Sequence, residues 1–111
     1  MGNEVILKEI DDLILNYQLE LEVYHKIRTY FNNISSSRLR ELSRNSCYIL
    51  FNSKGECINQ CSLVPLNLSY EVNLEKEYMI SMVVKDIMDI HSSIIKLRRS
   101  KVALNKKIKK R

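Results

Sequence analysis

The last third of the chain keeps a heptad pattern of apolar residues with only one interruption. Positions a and d of this heptad, separated by alternating steps of three and four residues, are Ile80, Val83, Ile87, Ile90, Ile94, Leu97, Lys101, Leu104 and Ile108. A repeat of about 3.5 residues places these side chains on one side of a helix, where they can pack against another helix. The pattern predicts a long helix over about residues 74–108.

A second segment with the same rhythm begins near the N-terminus and predicts a helix over about residues 3–34. Asn3 is suited to cap its start. The apolar residues expected to face the last helix are Ile6, Ile10, Leu13, Tyr17, Tyr24, Ile27, Phe31 and Ile34, with Glu20 as the interruption. A second apolar stripe, formed by Leu7, Ile14 and Leu21, runs beside this one.

Between the two long helices the pattern changes from that of a helix to that of a strand. A short helix is predicted over about residues 36–44. The aromatic and β-branched residues that follow, together with an Asn-Ser-Lys-Gly turn, predict a β-hairpin over about residues 47–60. Pro65 favours an extended segment over 61–72, because proline disrupts both helices and central strands. Asn73 is predicted to cap the last helix.

These elements depend on one another for stability. A lone hairpin is marginal in water, and single helices of this length gain most of their stability from packing. The predicted fold class is therefore mostly α: one domain over residues 1–111, an antiparallel two-helix coiled-coil hairpin with a short β-hairpin at the connecting end. The chain contains only two glycines and one proline. This low number agrees with a mostly helical fold, because both residues are typical of turns and loops. A chain of 111 residues can bury a modest core but offers little room for an active-site cleft.

The charge is divided unevenly along the chain. The net charge is +5, but residues 1–95 contain nine basic and thirteen acidic residues, whereas the nine basic residues from Lys96 onward have no acidic residue among them. Two interpretations of this basic tail stay open. Cations suit the C-terminal end of a helix, and they can also bind nucleic acid or an acidic protein. Without interleaved aromatic residues, we expect only weak, non-specific nucleic-acid binding.

The sequence offers little support for catalysis, for a cofactor or for a metal site. The cysteines Cys47, Cys57 and Cys61 include a C-x3-C spacing rather than the C-x2-C of zinc sites, and His25 and His91 are distant in sequence. We expect free thiols in a reducing compartment. The chain has no apolar run of about 18 residues, so no transmembrane span is expected. The expectation is a non-catalytic protein of the cytoplasm or nucleus.

A second stripe on the last helix is the sharpest candidate for function. Met88, Ile95 and Val102 recur at heptad position b, and Val84 lies beside them at position e. Either the hairpin and segment 61–72 cover this stripe, or it is left for a partner helix or a second copy. The candidate partner-binding residues are Met88, Ile95 and Val102, with Lys96 and Arg99 at the rim.

Two stretches of the sequence resemble one protein family. Residues 50–55, Leu-Phe-Asn-Ser-Lys-Gly, are similar to the L-V-x-x-x-G element in the N-terminal domain of the proteasomal PDZ-containing assembly chaperone, the 26S proteasome non-ATPase subunit nine type. Residues 85–100 resemble the family's following helix in their opening Lys-Asp-Ile, their aliphatic spacing and their late Arg-Ser. In this sequence Gly55 is followed by Glu56 rather than by a Pro-Arg and acidic pattern, residues 61–78 look like an insertion, and no counterpart of the PDZ domain is found.

The resemblance implies a helical chaperone that binds an ATPase subunit of the proteasome regulatory particle during assembly. Under this interpretation the second stripe of the last helix would hold a small folded domain of that subunit. Three alternatives stay open: a prefoldin-like subunit, another subunit of a coiled-coil complex, and a basic, helical nucleic-acid-associated factor.

Overall fold

The fold is mostly helical, with a small antiparallel sheet at one end. The computed structural model describes residues 2–45, 47–66 and 68–109, which form an elongated body with extents of 63 × 22 × 18 Å. The elements in chain order are α1 (Gly2–Asn33), α2 (Ser36–Ser43), β1 (Tyr48–Phe51), β2 (Cys57–Ser62), β3 (Leu68–Glu71) and α3 (Lys76–Lys109). Lys110 and Arg111, at the end of the basic tail, and Asn67, in the predicted extended segment, lie outside the described residues.

The two long helices, α1 and α3, pack on each other along their length and run in opposite directions. The Nζ of Lys101, near the end of α3, donates a hydrogen bond to Oδ1 of Asp11 at 2.7 Å, and Asp86, near the start of α3, lies close to Tyr24. The predicted packing of the first long helix on the last is therefore confirmed. On α3 the seam residues Val83, Ile87, Ile90 and Ile94 are all buried, as expected from the heptad.

The predicted seam of α1 is wrong at two positions in its N-terminal half, whereas Ile10 in the same half is buried as predicted. Ile6 and Leu13, which were expected to face α3, are 45% and 46% exposed, whereas Ile14 and Leu21 of the neighbouring stripe are buried. The two stripes are about equally apolar in the sequence, so periodicity cannot separate them. From Tyr24 onward the buried residues of α1 are the predicted ones. The change occurs because Leu21, Tyr24 and Ile27 are separated by two successive steps of three residues, where a heptad would have one step of three and one of four. Such a step shifts a heptad seam onto the next stripe.

The sheet contains a third strand that the sequence did not reveal. The strand order is β2-β1-β3, and both outer strands pair antiparallel with β1. β3 and the last two residues of β2 lie within the segment predicted only as extended. Tyr48 is paired with Glu71, and Phe51 with Leu68. Pro65 lies outside the strands, in the connection that crosses from one edge of the sheet to the other, where its missing N–H is harmless.

Helix α3 begins slightly later than predicted. Its first residue is Lys76, and Asn73 forms a turn before it, with Oδ1 of Asn73 accepting a hydrogen bond from the backbone N–H of Glu75 at 3.0 Å. The backbone N–H groups of Tyr78 and Met79 donate to the carbonyl oxygen of Glu75. The chain therefore enters the helix at Glu75, two residues after the asparagine that was expected to cap it.

An aromatic cluster joins the sheet to the helices. The rings of Phe31 in α1, Phe51 in β1 and Tyr70 in β3 meet edge to face, with centroid separations of 5.7 Å for Phe31–Phe51, 5.7 Å for Phe31–Tyr70 and 6.2 Å for Phe51–Tyr70. Tyr30 adds a further edge contact with Phe51 at 5.2 Å. Edge-to-face pairs gain energy beyond the area that they bury. The cluster fixes the sheet to one end of the helical pair, where α1 ends and α3 begins.

The turn between β1 and β2 lies against α1, and Gly55 is the residue at the contact. Oδ1 of Asn52 accepts hydrogen bonds from the backbone N–H groups of Lys54 and Glu56. Gly55 has a φ of +80°, a backbone angle that residues other than glycine rarely adopt. A Cβ at this position would lie 2.8 Å from the carbonyl oxygen of Val23 and 3.0 Å from Cβ of Lys26. The glycine therefore allows both the turn and the close approach of the turn to the helix.

The first prediction tests the α3 seam. Ile87→Asp should destabilise the fold by on the order of 4 kcal/mol, because it places an unpaired carboxylate in the core. Met88→Asp is the matched control, since the neighbouring residue receives the same substitution at an exposed position. Urea unfolding followed by circular dichroism would give both free energies. Equal losses in the two variants would contradict the seam assignment.

The second prediction tests the contact between the turn and α1. Gly55→Ala should cost about 1–3 kcal/mol of folding free energy, because the positive φ and the collision with Val23 both oppose a Cβ. Gly2→Ala is the control, since a Cβ there meets nothing within 4 Å. Thermal melting of both variants would show the difference. A Gly55→Ala variant as stable as the parent would mean that the turn does not rest on the helix.

Candidate partner-binding surface

The outer face of α3 exposes the stripe that the sequence singled out. Met88, Ile95 and Val102 are 63%, 47% and 55% exposed. Position b lies about 130° around the helix from the middle of the a/d seam, so burial of the seam against α1 leaves these side chains facing away from α1. The sheet and its connections therefore do not cover the stripe. The interpretation in which the stripe belongs to the core of the chain is wrong.

Part of the stripe lines a shallow groove. The groove has a volume of about 430 Å³, and the residues around it are Ile95, Arg98, Arg99, Val102, Ala103 and Lys106. It brings together three of the five residues predicted for partner binding, namely Ile95, Val102 and Arg99. Met88 lies about two turns of helix before Ile95, and Lys96 is exposed at the next helix position, outside the groove lining.

Sequence reasoning did not select Arg98, Ala103 or Lys106, although the spacing carried a signal for Arg98 and Lys106. Arg98 and Ala103 stand three and eight residues after Ile95, and Lys106 stands four after Val102. Residues three or four positions apart lie next to one another on a helix surface. A search for neighbours at three and four residues from Ile95 and Val102 finds Arg98 and Lys106, but it does not find Ala103.

The groove combines an apolar floor with a cationic rim. Ile95, Val102 and Ala103 supply the floor, and the side chains of Arg98, Arg99 and Lys106 supply positive charge without an acidic residue in the lining. Asp11 of α1 is paired with Lys101 at the seam and does not belong to the groove lining. The surface can therefore interact with a ligand that is both apolar and negatively charged.

The tyrosines with perturbed pKa values serve the fold. The hydroxyl of Tyr70 donates a hydrogen bond to Oδ2 of Asp86 at 2.7 Å, which ties β3 to α3. Burial raises the pKa of Tyr70, and the bonded carboxylate raises it further. Burial, followed by the charge of Asp86, also raises the pKa of Tyr24. A phenol with a raised pKa stays neutral and acts as a hydrogen-bond donor, so this group is suited to linking elements and not to acting as a base.

A second polar network ties the sheet to α1 and α2. The guanidinium of Arg38 donates from Nη2 to Oε1 of Gln60 at 2.8 Å, and Nε2 of Gln60 donates to the hydroxyl oxygen of Tyr30 at 2.6 Å. Burial, together with a hydrogen bond to the Cys57 thiol, raises the pKa of Tyr30 to about 12. Three elements, α1, α2 and β2, therefore meet at one glutamine side chain.

The three thiols differ in their exposure. Cys47 is buried, Cys57 is half-buried and Cys61 is exposed. A hydrogen bond with the Cys61 thiol, followed by burial, raises the pKa of Cys47, which keeps that thiol protonated and a poor nucleophile. Across residues 2–45, 47–66 and 68–109 there is no group of three or more His, Cys, Asp or Glu side chains placed to hold a metal ion.

Comparison with known proteins adds no functional assignment. No protein-family model, curated protein or solved structure matches this chain. The resemblance to the proteasomal assembly chaperone family thus stays a prediction. Among the described residues, no helix combines the length and the apolar character needed to cross a membrane.

The third prediction concerns Tyr30 and alkaline pH. Its folded pKa of about 12 exceeds the ordinary value of 10.0, so between these values the folded state keeps a proton that the unfolded state has lost. The contribution of Tyr30 to stability should therefore be complete below pH 10.0 and decline as the pH rises toward about 12. Urea unfolding at several pH values gives the free energy of unfolding of the parent and of Tyr30→Phe. The difference between the two slopes of this free energy against pH is the contribution of the Tyr30 hydroxyl. Parallel slopes would show that the Tyr30 hydroxyl titrates normally.

Proposed function

We propose that this chain is a non-catalytic protein-binding module built on an antiparallel coiled-coil hairpin, with the small sheet closing its connecting end. Partner binding takes place on the outer face of α3. One observation carries the proposal: Met88, Ile95 and Val102 recur at a single heptad position and are all exposed, although the a/d seam of the same helix is already filled by α1. The fold does not require apolar side chains at these positions, so a partner is the natural reason for them.

The stripe is well suited to protein recognition. Each of its side chains is about half exposed, so burying the rest contributes about 1 kcal/mol per residue. Methionine adapts to different partner surfaces because its side chain is unbranched and polarizable. Because α3 is already helical and packed on α1, binding orders little backbone, and less of the contact energy is lost to entropy.

The resemblance suggests which partner to test first. Residues 50–55 and 85–100 are similar to the proteasomal assembly chaperone family, so we propose an ATPase-ring subunit of the regulatory particle as the partner and an assembly chaperone as the biological role. In this arrangement a small folded domain of the ATPase subunit contacts the stripe, with Lys96 and Arg99 at the rim. The protein would act in the cytoplasm or nucleus, where proteasomes are assembled.

The fourth prediction tests the stripe as a partner surface. Ile95→Ser combined with Val102→Ser should lower capture of the purified ATPase subunit by about tenfold or more, because truncating apolar side chains at the centre of an interface is costly. The helical circular-dichroism spectrum and the melting temperature should stay close to those of the parent. Capture would be measured by immobilising the full chain and titrating the ATPase subunit.

A matched pair on α1 provides the control for this experiment. Leu15 and Leu19 are 54% and 53% exposed, so Leu15→Ser combined with Leu19→Ser removes a similar apolar area from another face. This control should capture the ATPase subunit as the parent does. Equal loss in both double variants, or a large fall in melting temperature for the α3 pair, would refute the stripe as the binding surface. Recovery of actin- or tubulin-folding machinery from cells, without the ATPase subunit, would favour the prefoldin-like alternative.

A further inference from the structure

The groove on α3 has the arrangement that a coiled-coil helix offers to a partner helix. Ile95, Arg98, Arg99 and Val102 stand at positions i, i+3, i+4 and i+7. Four residues at these spacings form the hole that receives one side chain of a facing helix in knobs-into-holes packing. Arg99, Val102, Ala103 and Lys106 repeat the same spacings and form the next hole. Two consecutive holes therefore lie along the free face of α3.

The composition of these holes specifies the chemistry of the occupant. Each hole has aliphatic side chains on part of its wall, which favours a leucine-like knob. Each hole also includes two cationic side chains, and packing a helix over them removes part of their water. Removing water from a guanidinium group costs free energy when no anion replaces the water. A carboxylate can replace it, because it forms two parallel hydrogen bonds with the guanidinium. The helix that fits must therefore carry acidic residues beside its apolar knobs.

We propose that this groove binds an acidic amphipathic helix of a partner protein. The inference rests on the proposed protein-binding function and specifies its ligand. Aliphatic side chains of the partner enter the two holes, while flanking carboxylates pair with Arg98, Arg99 and Lys106. The complex is in effect a third helix added to the outer side of the hairpin, with a seam that is apolar in the middle and ionic at the rim.

A second copy of this chain fits the groove less well. A contact between two copies through this face would bring Arg98, Arg99 and Lys106 of one copy against the same residues of the other, and the groove lining supplies no acidic residue to separate them. Like charges at such a contact oppose association strongly. The cationic lining that favours an acidic helix therefore disfavours pairing of α3 with itself.

The test uses the full chain and a pair of synthetic three-heptad peptides. One peptide carries leucine at positions a and d with glutamate at e and g, and the other carries lysine in place of every glutamate. Binding is followed by the fluorescence anisotropy of a dye on the peptide. We expect saturable binding of the glutamate peptide and at least about tenfold weaker binding of the lysine peptide. A third peptide, with glutamate retained and glutamine in place of leucine, should also bind at least about tenfold more weakly.

Charge reversal in the protein should invert the preference. Arg98→Glu combined with Arg99→Glu should weaken the glutamate peptide by about tenfold or more and should bind the lysine peptide more tightly than the parent does. Arg40→Glu combined with Arg44→Glu, two exposed arginines at and after the end of α2, changes the net charge equally and serves as the control. The control variant should keep the preference of the parent for the glutamate peptide.

Several results would overturn the inference. One is equal binding of both charged peptides by the parent, and another is an unchanged preference after reversal of Arg98 and Arg99. Dimerisation in light scattering that Ile95→Ser abolishes would assign the groove to a second copy. Saturable binding of anionic vesicles or duplex DNA, lost on the same reversal and absent for the peptide, would assign it to lipid or nucleic acid. If Ile95→Ser with Val102→Ser abolishes capture of the ATPase subunit while the arginine reversal does not, the protein-binding function stands and only the acidic-helix inference fails.

Discussion

The whole structure depends on the packing of α3 against α1. Neither helix would be stable alone, because an isolated helix in water gains too little from its own hydrogen bonds to offset the loss of chain entropy. Val83, Ile87, Ile90 and Ile94 bury one face of α3 against α1, and this burial holds the two helices together in a molecule that is 63 Å long. Everything else in the chain is attached to this pair, and the sheet would have no surface to cover without it.

The sheet closes one end of the pair through a small number of specific contacts. Phe31 at the end of α1 meets rings from both β1 and β3, so one side chain links the sheet to the helix core. The Tyr70 hydroxyl ties β3 to α3, and the Gln60 side chain ties β2 to α1 and α2. These polar links lie at the margins of the aromatic cluster, where each group has a partner. They give the sheet a defined orientation on the hairpin, which apolar packing alone would specify poorly.

A single helix supplies both stability and the candidate binding surface. The inner face of α3 is buried against α1. Its outer face carries Ile95 and Val102, with three cationic side chains around them. Because the two faces point in different directions, substitutions on the outer face can alter binding without weakening the core. The same separation explains why the groove is shallow: one helix provides all of its lining, and a partner helix would have to supply the other side.

The sequence alone determined the two long helices and the face that α3 turns to α1, because Val83, Ile87, Ile90 and Ile94 form the strongest apolar heptad in the chain. It also identified Met88, Ile95 and Val102 as a separate stripe, since helix geometry places position b away from the seam. Three features were decided only by tertiary structure. The N-terminal half of α1 carries two adjacent stripes of similar apolarity, and contact with α3 selects between them. Strand β3 lies in a segment predicted only as extended, and it is its pairing with β1 that places it in the sheet. Whether the stripe at position b is covered or open depends on where the sheet and its connections lie, and in the structure the stripe is exposed and lines a groove.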